Sequence, residues 1–119
     1  MTAFELITQQ LRPAGLPWDI AKGFDTSCAV GDFIAHNKIL DPQNVELRCK
    51  VNDSMKQSSN TNDMIFPVSE LISYVSEYVT WQPGDLLLTG TPGGAGAVQR
   101  GDVIECEIPG ISHITFNVE

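Results

Sequence analysis

The chain is 119 residues long, 42% apolar and 18% charged, with 15 Asp and Glu against 7 Lys and Arg for a formal net charge of −8. This composition suits a single domain over residues 1–119 and excludes wholesale disorder. The acidic balance argues against a nucleic-acid partner, which needs a basic face, and against an anionic membrane surface; no apolar run approaches the roughly 18 residues that cross a bilayer.

The N-terminus, "MTAFELITQQLRPAG", lacks a cationic start before an apolar core, so no secretory leader is expected and the protein is read as not secreted. Phe4, Leu6, Ile7 and Leu11 predict a short helix over 2–12, with Thr2 as N-cap and Glu5 three positions on, ended by Pro13-Ala14-Gly15. Residues 16–41 are expected to be mostly irregular, and such stretches in compact domains often carry function. In "VELRCKV", Val45, Leu47, Cys49 and Val51 alternate with Glu46, Arg48 and Lys50, the pattern of a half-buried strand. Asn52-Asp53-Ser54, formally a glycosylation sequon, reads as the turn into a more polar strand that runs through Gln57. Pro67 suits the first turn of a helix over 67–79, with Val68, Leu71, Ile72, Val75, Tyr78 and Val79 on one stripe. Strands are expected over 86–89, 103–108 and 111–118, with turns at Arg100-Gly101-Asp102 and Pro109-Gly110. Between two strands, Arg-Gly-Asp is a tight turn rather than an adhesion motif. The pattern is that of an α+β chain, mainly β with one long helix. Cys28, Cys49 and Cys106 are odd in number and widely spaced, so they form neither a C-x-x-C metal site nor a disulfide framework. They are read as buried thiols in a reducing compartment.

The stretch "DLLLTGTPGGAGAV", residues 85–98, raises the main functional question, because glycines at that density bring backbone close to something. It lacks the Lys of a phosphate-binding loop, and Gly94-Ala95-Gly96 opens a turn rather than the helix of a dinucleotide site. What remains is either a plain glycine-rich turn or a cradle, with the Thr89 and Thr91 hydroxyls beside unobstructed backbone N–H groups, suited to a carboxylate or a polarised keto oxygen. Lys22, flanked by Ile20, Ala21 and Phe24, is either a snorkelling surface residue or a cation drawn into a pocket to meet an anionic substrate or an enolate. Glu105 and Glu107 share a strand face and could hold a divalent cation, but alternation with Ile104, Cys106 and Ile108 reads as a solvated face. His36 and His113 have no partner spacing and read as surface residues.

Three segments, "GLPWDIAKGFDTSC", residues 51–98 and "RGDVIECEIPGISHITFNVE", together resemble the fumarylacetoacetate hydrolase family, in its acylpyruvase, oxaloacetate-acting and dienedioate-isomerase group. The resemblance covers nearly the whole chain, and T-G-T-P-x-G-x-G after an apolar strand is its most specific motif. It implies a mixed β-roll with one long helix, a homodimer, and Mg²⁺ or Mn²⁺ held by an E-x-E pair and a later Asp. The implied chemistry is C–C hydrolysis, decarboxylation or keto–enol isomerisation of short keto acids. By motif match, Lys22 is the substrate-contacting, catalytic lysine, Thr26 lies beside the metal, and Thr91 with Gly90 holds the substrate carboxylate.

The departures from the family pattern carry their own expectations. Met1-Thr2 resembles the pair that follows the family's metal-binding Asp, so the chain reads as the C-terminal part, with no metal ligand of its own and no activity alone. Phe4-Glu5 stands where Arg-Asp is usual, Ala29 where Pro is, and Gly93 where Lys is frequent. The rival expectation, from a different class, is a non-catalytic remnant acting as a structural or dimerisation module. The implied compartment is cytoplasmic or mitochondrial.

Overall fold

A computed structural model describes residues 11, 13–17 and 19–119, which fall into two compact units, Met1–Asp32 and Phe33–Glu119. In the first unit, Leu16 N–H donates to Leu11 O at 3.2 Å across Gly15, the closure of a helix C-terminus. Pro13-Ala14-Gly15 thus ends a helix as expected; apart from Leu11, the residues of the span 2–12 expected as helix, Phe4 and Glu5 among them, lie outside the described residues. A single helical turn follows, α1 (Asp19–Lys22), capped where Gly23 N–H donates to Asp19 O at 2.6 Å.

The second unit is built on an antiparallel sheet of β1 (Glu46–Val51), β2 (Ser54–Asn60), β3 (Val103–Ile108) and β4 (Ser112–Asn117), in the order β2-β1-β3-β4. The β1–β2 connection takes two residues, Asn52 at φ 49° and Asp53 at φ 62°, the left-handed pair whose twist matches that of the flanking strands. Asn and Asp suit these positions because a short polar side chain tolerates that region. A bulge interrupts the β1–β2 register between Cys49 and Lys50.

Asn52 also fixes the long-range pairing of β1 with β3. Its N–H donates to Val103 O at 2.9 Å, its Oδ1 accepts from Val103 N–H at 2.9 Å, and its Nδ2 donates to Asp102 Oδ1 at 2.8 Å. Asp102 Oδ2 accepts from Gln99 N–H at 2.7 Å, and Gly101 N–H reaches Val118 O at 2.8 Å. The Arg-Gly-Asp triplet is therefore a turn whose carboxylate is committed to the strand junction. The Gln99 N–H and then the Asn52 amide hold the Asp102 carboxyl below its ordinary value.

The long helix, α2 (Val68–Ser76), begins one residue later than expected, because Pro67 at ψ 152° serves as its N-cap, and ends three residues earlier, leaving Tyr78 and Val79 beyond it. Val68 N–H, left without an intrahelical acceptor, donates to Gln43 Oε1 at 2.9 Å, and Gln43 Nε2 donates to Thr61 O at 2.6 Å. Of the expected stripe, Val68, Leu71 and Val75 are half-buried, while Ile72, Tyr78 and Val79 are exposed.

Three further expectations are corrected. Residues 86–89 form no strand: they join no ladder among the described residues, and Leu86 and Leu88 stand exposed. The second strand runs past Gln57 to Asn60, where the Asn60 side chain accepts from Asn62 N–H at 3.0 Å and starts a 3₁₀ turn over Thr61–Asp63. The thiols are not buried: Cys28 is exposed, and Cys49 and Cys106 are half-buried. Among the described residues only Val45, at 9% exposure, counts as core. Phe33, Leu40 and Ile65 are each more than nine-tenths exposed. The sheet is well hydrogen-bonded but thinly covered.

Candidate functional site

The loop after Leu88 is positioned by β2. Gly94, at φ 100°, passes so close that a Cβ there would collide with the Lys56 carbonyl. One of the loop's glycines is therefore spent on approach to the chain's own edge strand. Gly90, at φ 103°, is different: nothing lies within 4 Å of where its Cβ would be, so its backbone borders open space.

That space is a cavity of about 530 Å³ whose lining includes Leu47, Thr61, Phe66, Thr89, Gly90 and Thr91. Its apolar wall comes from β1 and the segment before α2, and its polar rim from the loop. Thr91 is held in place by Gln57, whose Nε2 donates to Thr91 Oγ1 at 2.9 Å and to Pro92 O at 2.8 Å. A threonine hydroxyl has one proton and can accept as well as donate, so acceptance from Gln57 leaves that proton to be given to an anion. A carboxylate or keto oxygen beside Gly90 and Thr91 would thus meet a donor whose direction is set in advance.

Gln57 was missed from sequence, where β2 read only as a polar strand. No local sequence signal singles it out: it is the fold that sets it opposite Cys49 in the β1–β2 register, half-buried between the exposed Lys56 and Ser58.

The other candidates belong to the first unit. Lys22 ends α1 and is exposed; Thr26 stands three residues beyond Gly23 at φ 66°. A β-branched residue at positive φ is costly, and such outliers gather at functional sites. Ala29 is exposed in the same unit.

Glu105 and Glu107 lie on β3, where Glu107 Oε2 is 3.8 Å from Arg48 Nη1, and Arg48 also contacts Glu46 Oε1 through Nη2 at 2.7 Å. Glu107 is thereby part of a cross-strand ion pair on the solvated face. His36 sits in a 3₁₀ turn and His113 on β4, both exposed. Among the described residues, no three His, Cys, Asp or Glu come together as a metal site. No helix of the described residues is long and apolar enough to cross a membrane.

Residues 1–119 match the profile of the fumarylacetoacetate (FAA) hydrolase C-terminal domain. The chain is 52% identical over 96 residues to the mitochondrial oxaloacetate decarboxylase of Dictyostelium discoideum, covering 81% of this chain and 44% of that protein. It is 44% identical over 119 residues to the mitochondrial oxaloacetate tautomerase FAHD1 of Rattus norvegicus, covering all of this chain and 53% of that protein. It therefore spans about half the length of these relatives. The crystal structure of fumarylpyruvate hydrolase from Pseudomonas aeruginosa, in complex with Mn²⁺ and pyruvate, superposes with a TM-score of 0.88 at 32% identity, over 96% of this chain and 49% of that one.

Proposed function

The chain belongs to the fumarylacetoacetate hydrolase family, and on that premise we propose that it serves metal-dependent hydrolysis, decarboxylation or tautomerisation of short keto acids such as acylpyruvates, oxaloacetate or related dienedioates. The observation that carries this reading is the Gly90–Thr91 rim, with its hydroxyl fixed by Gln57 over an open cavity. Thr91 holds the substrate carboxylate with Gly90. Lys22 supplies positive charge to an oxygen that becomes enolate-like, and Thr26 lies beside the metal. Pyruvate and Mn²⁺ in the Pseudomonas enzyme, and the oxaloacetate-acting relatives, support the substrate class. The motif match gives this chain no counterpart of the family's metal-binding E-x-E pair and later Asp, and on that resemblance we propose that the chain alone is inactive.

Mitochondrial or cytoplasmic residence and a homodimeric assembly complete the reading. The second reading, a structural or dimerisation module without catalysis, draws on the exposed Phe33, Leu40 and Ile65 and on a core that, among the described residues, is Val45 alone.

Titrating isotope-labelled chain with pyruvate separates the two. Shifts at the Gly90 and Thr91 amides that disappear in Thr91→Val support keto-acid binding; an unresponsive loop in a folded dimer favours the module. Turnover of oxaloacetate by this chain with Mn²⁺ would overturn its inactivity alone. In an active form, Lys22→Met should lower kcat by roughly 10²-fold, the scale of one preorganised electrostatic donor, while Thr91→Val mainly raises KM.

A further inference from the structure

Cys49 and Cys106 are direct partners in the β1–β3 register, and their sulfurs lie 3.9 Å apart. The phase of the ladder can be read from its end. Asn52 N–H donates to Val103 O, so residues 52, 50 and 48 bond toward β3. Thr61 N–H donates to Val45 O, which assigns 45, 47 and 49 to β2. Cys49 and Cys106 are therefore a non-hydrogen-bonded pair, the type with Cα atoms about 4.5 Å apart. That separation falls within the roughly 4.4–6.8 Å span of disulfides. Closing the remaining gap between the sulfurs needs side-chain rotation on strands already in register.

Neither thiol is engaged elsewhere in a way that would prevent this. Cys106 Sγ donates weakly to Cys49 Sγ, and Cys49 Sγ to Lys50 O, each at 3.9 Å. Both line a cavity of about 280 Å³ that also includes Gln57, Gly90 and Thr91, a way in for a small reagent.

We infer that Cys49 and Cys106 are a reversible redox modification site, closing to a cross-strand disulfide when met by a low-molecular-weight disulfide. The Cys49 thiolate attacks one sulfur of the reagent, RSSR, forms a mixed disulfide and expels one RS⁻. The Cys106 thiolate then attacks Cys49 Sγ, the new S–S bond forms, and the second RS⁻ leaves. The two thiol protons pass to the two RS⁻ groups, and the two electrons lost by the cysteines reduce RSSR to two RSH. Burial, and then the neighbouring Cys49, push the Cys106 thiol up to about 11, so the second attack accelerates as pH rises.

The test uses the full chain carrying Cys28→Ser, which removes only the exposed thiol of the first unit. Oxidised glutathione is the reagent, and intact mass, peptide mapping and thermal melting are the readouts. The expected product has lost two hydrogen atoms, joins the Cys49 and Cys106 peptides within one chain, and releases two glutathione molecules. Its Tm should rise on the order of 10 °C, because the bridge closes a loop of 57 residues' separation, and reductant should reverse it. A persistent glutathione adduct, a bridge between chains, or two thiols that stay reactive to alkylation in the folded protein would each overturn the inference.

Discussion

Two short segments, "VIECEI" at 103–108 and "DLLLTG" at 85–90, each carry an expected strand and end differently as structure. The first lies between β1 and β4 with every residue half-buried. The second joins no ladder among the described residues, and Leu86 and Leu88 are 65% and 77% exposed. Their strand propensities do not explain the difference. The first run has a device at its start, the Asn52–Asp102–Val103 junction, that fixes which strand it meets and in which register. The second begins after the Gln82–Asp85 turn and is tied down only further along, where the loop reaches Lys56 and Gln57. A strand is a property of a pair of segments, and this chain shows one member with its partner and one without.

The comparison breaks most readily at Asn52. Replacing it by Ala removes the side-chain bonds to Asp102 and Val103 and places a Cβ-bearing residue without a polar side chain at φ 49°. Two hydrogen bonds at about 0.5–1.5 kcal/mol each, plus roughly 1 kcal/mol for the left-handed backbone, predict a loss of about 2–4 kcal/mol. Asn52→Gly keeps the backbone permissive and should lose only the hydrogen-bond share. Urea unfolding of the three proteins measures this; a loss below about 0.5 kcal/mol in Asn52→Ala would mean that β3 is registered by its side chains alone.

This contrast also marks what the sequence could reveal. Period-2 alternation identified β1 and β3, and two-residue or Gly-containing turns identified their ends, because those signals are local. The helix was legible from its stripe, though its start slipped by one residue because Pro67 can serve as N-cap as readily as first turn. The exposure of the 86–89 run was not legible, since partner availability depends on the rest of the fold. The loop's glycines signalled close approach, and at Gly94 the approach is to Lys56 of the same chain. Gln57 escaped notice because nothing local distinguishes a polar residue that holds Thr91 from one that meets water. The roles proposed for Lys22, Thr26 and Thr91 rest on the family motif, not on spacing.

A smaller effect tests the same junction through pH. The bonds from Gln99 N–H and the Asn52 amide favour the Asp102 carboxylate, so its folded-state value lies below the ordinary 3.8. A depressed folded-state value means stability that is present above the unfolded-state value and lost as pH falls through the folded one. Asp102→Asn should therefore melt lower than wild type near neutrality, and the two Tm curves should converge below about pH 4. A gap that stays constant into acid would show that the charge of Asp102 contributes nothing to the junction.

The smallest expected effect concerns the run that lacks a ladder. Leu88 is 77% exposed, so Leu88→Ser removes little buried apolar surface from the isolated chain. Exposed substitutions away from caps and hydrogen-bond networks change stability by about 0.5 kcal/mol or less, and the monomer's urea midpoint should hardly move. Self-association is where Leu88 can register. In the proposed homodimer, covering its side chain would bury apolar surface that contributes about 1.5–3 kcal/mol per leucine. Loss of that contribution weakens dimerisation by roughly 10–100-fold, since each 1.4 kcal/mol is a factor of ten. Sedimentation across a concentration series reads the two quantities together with the urea midpoint. A weakened dimer with an unchanged monomer places the run in the interface between copies. An unchanged dimer leaves Leu88 outside that interface, and a destabilised monomer would show that the 85–90 run packs within the chain after all.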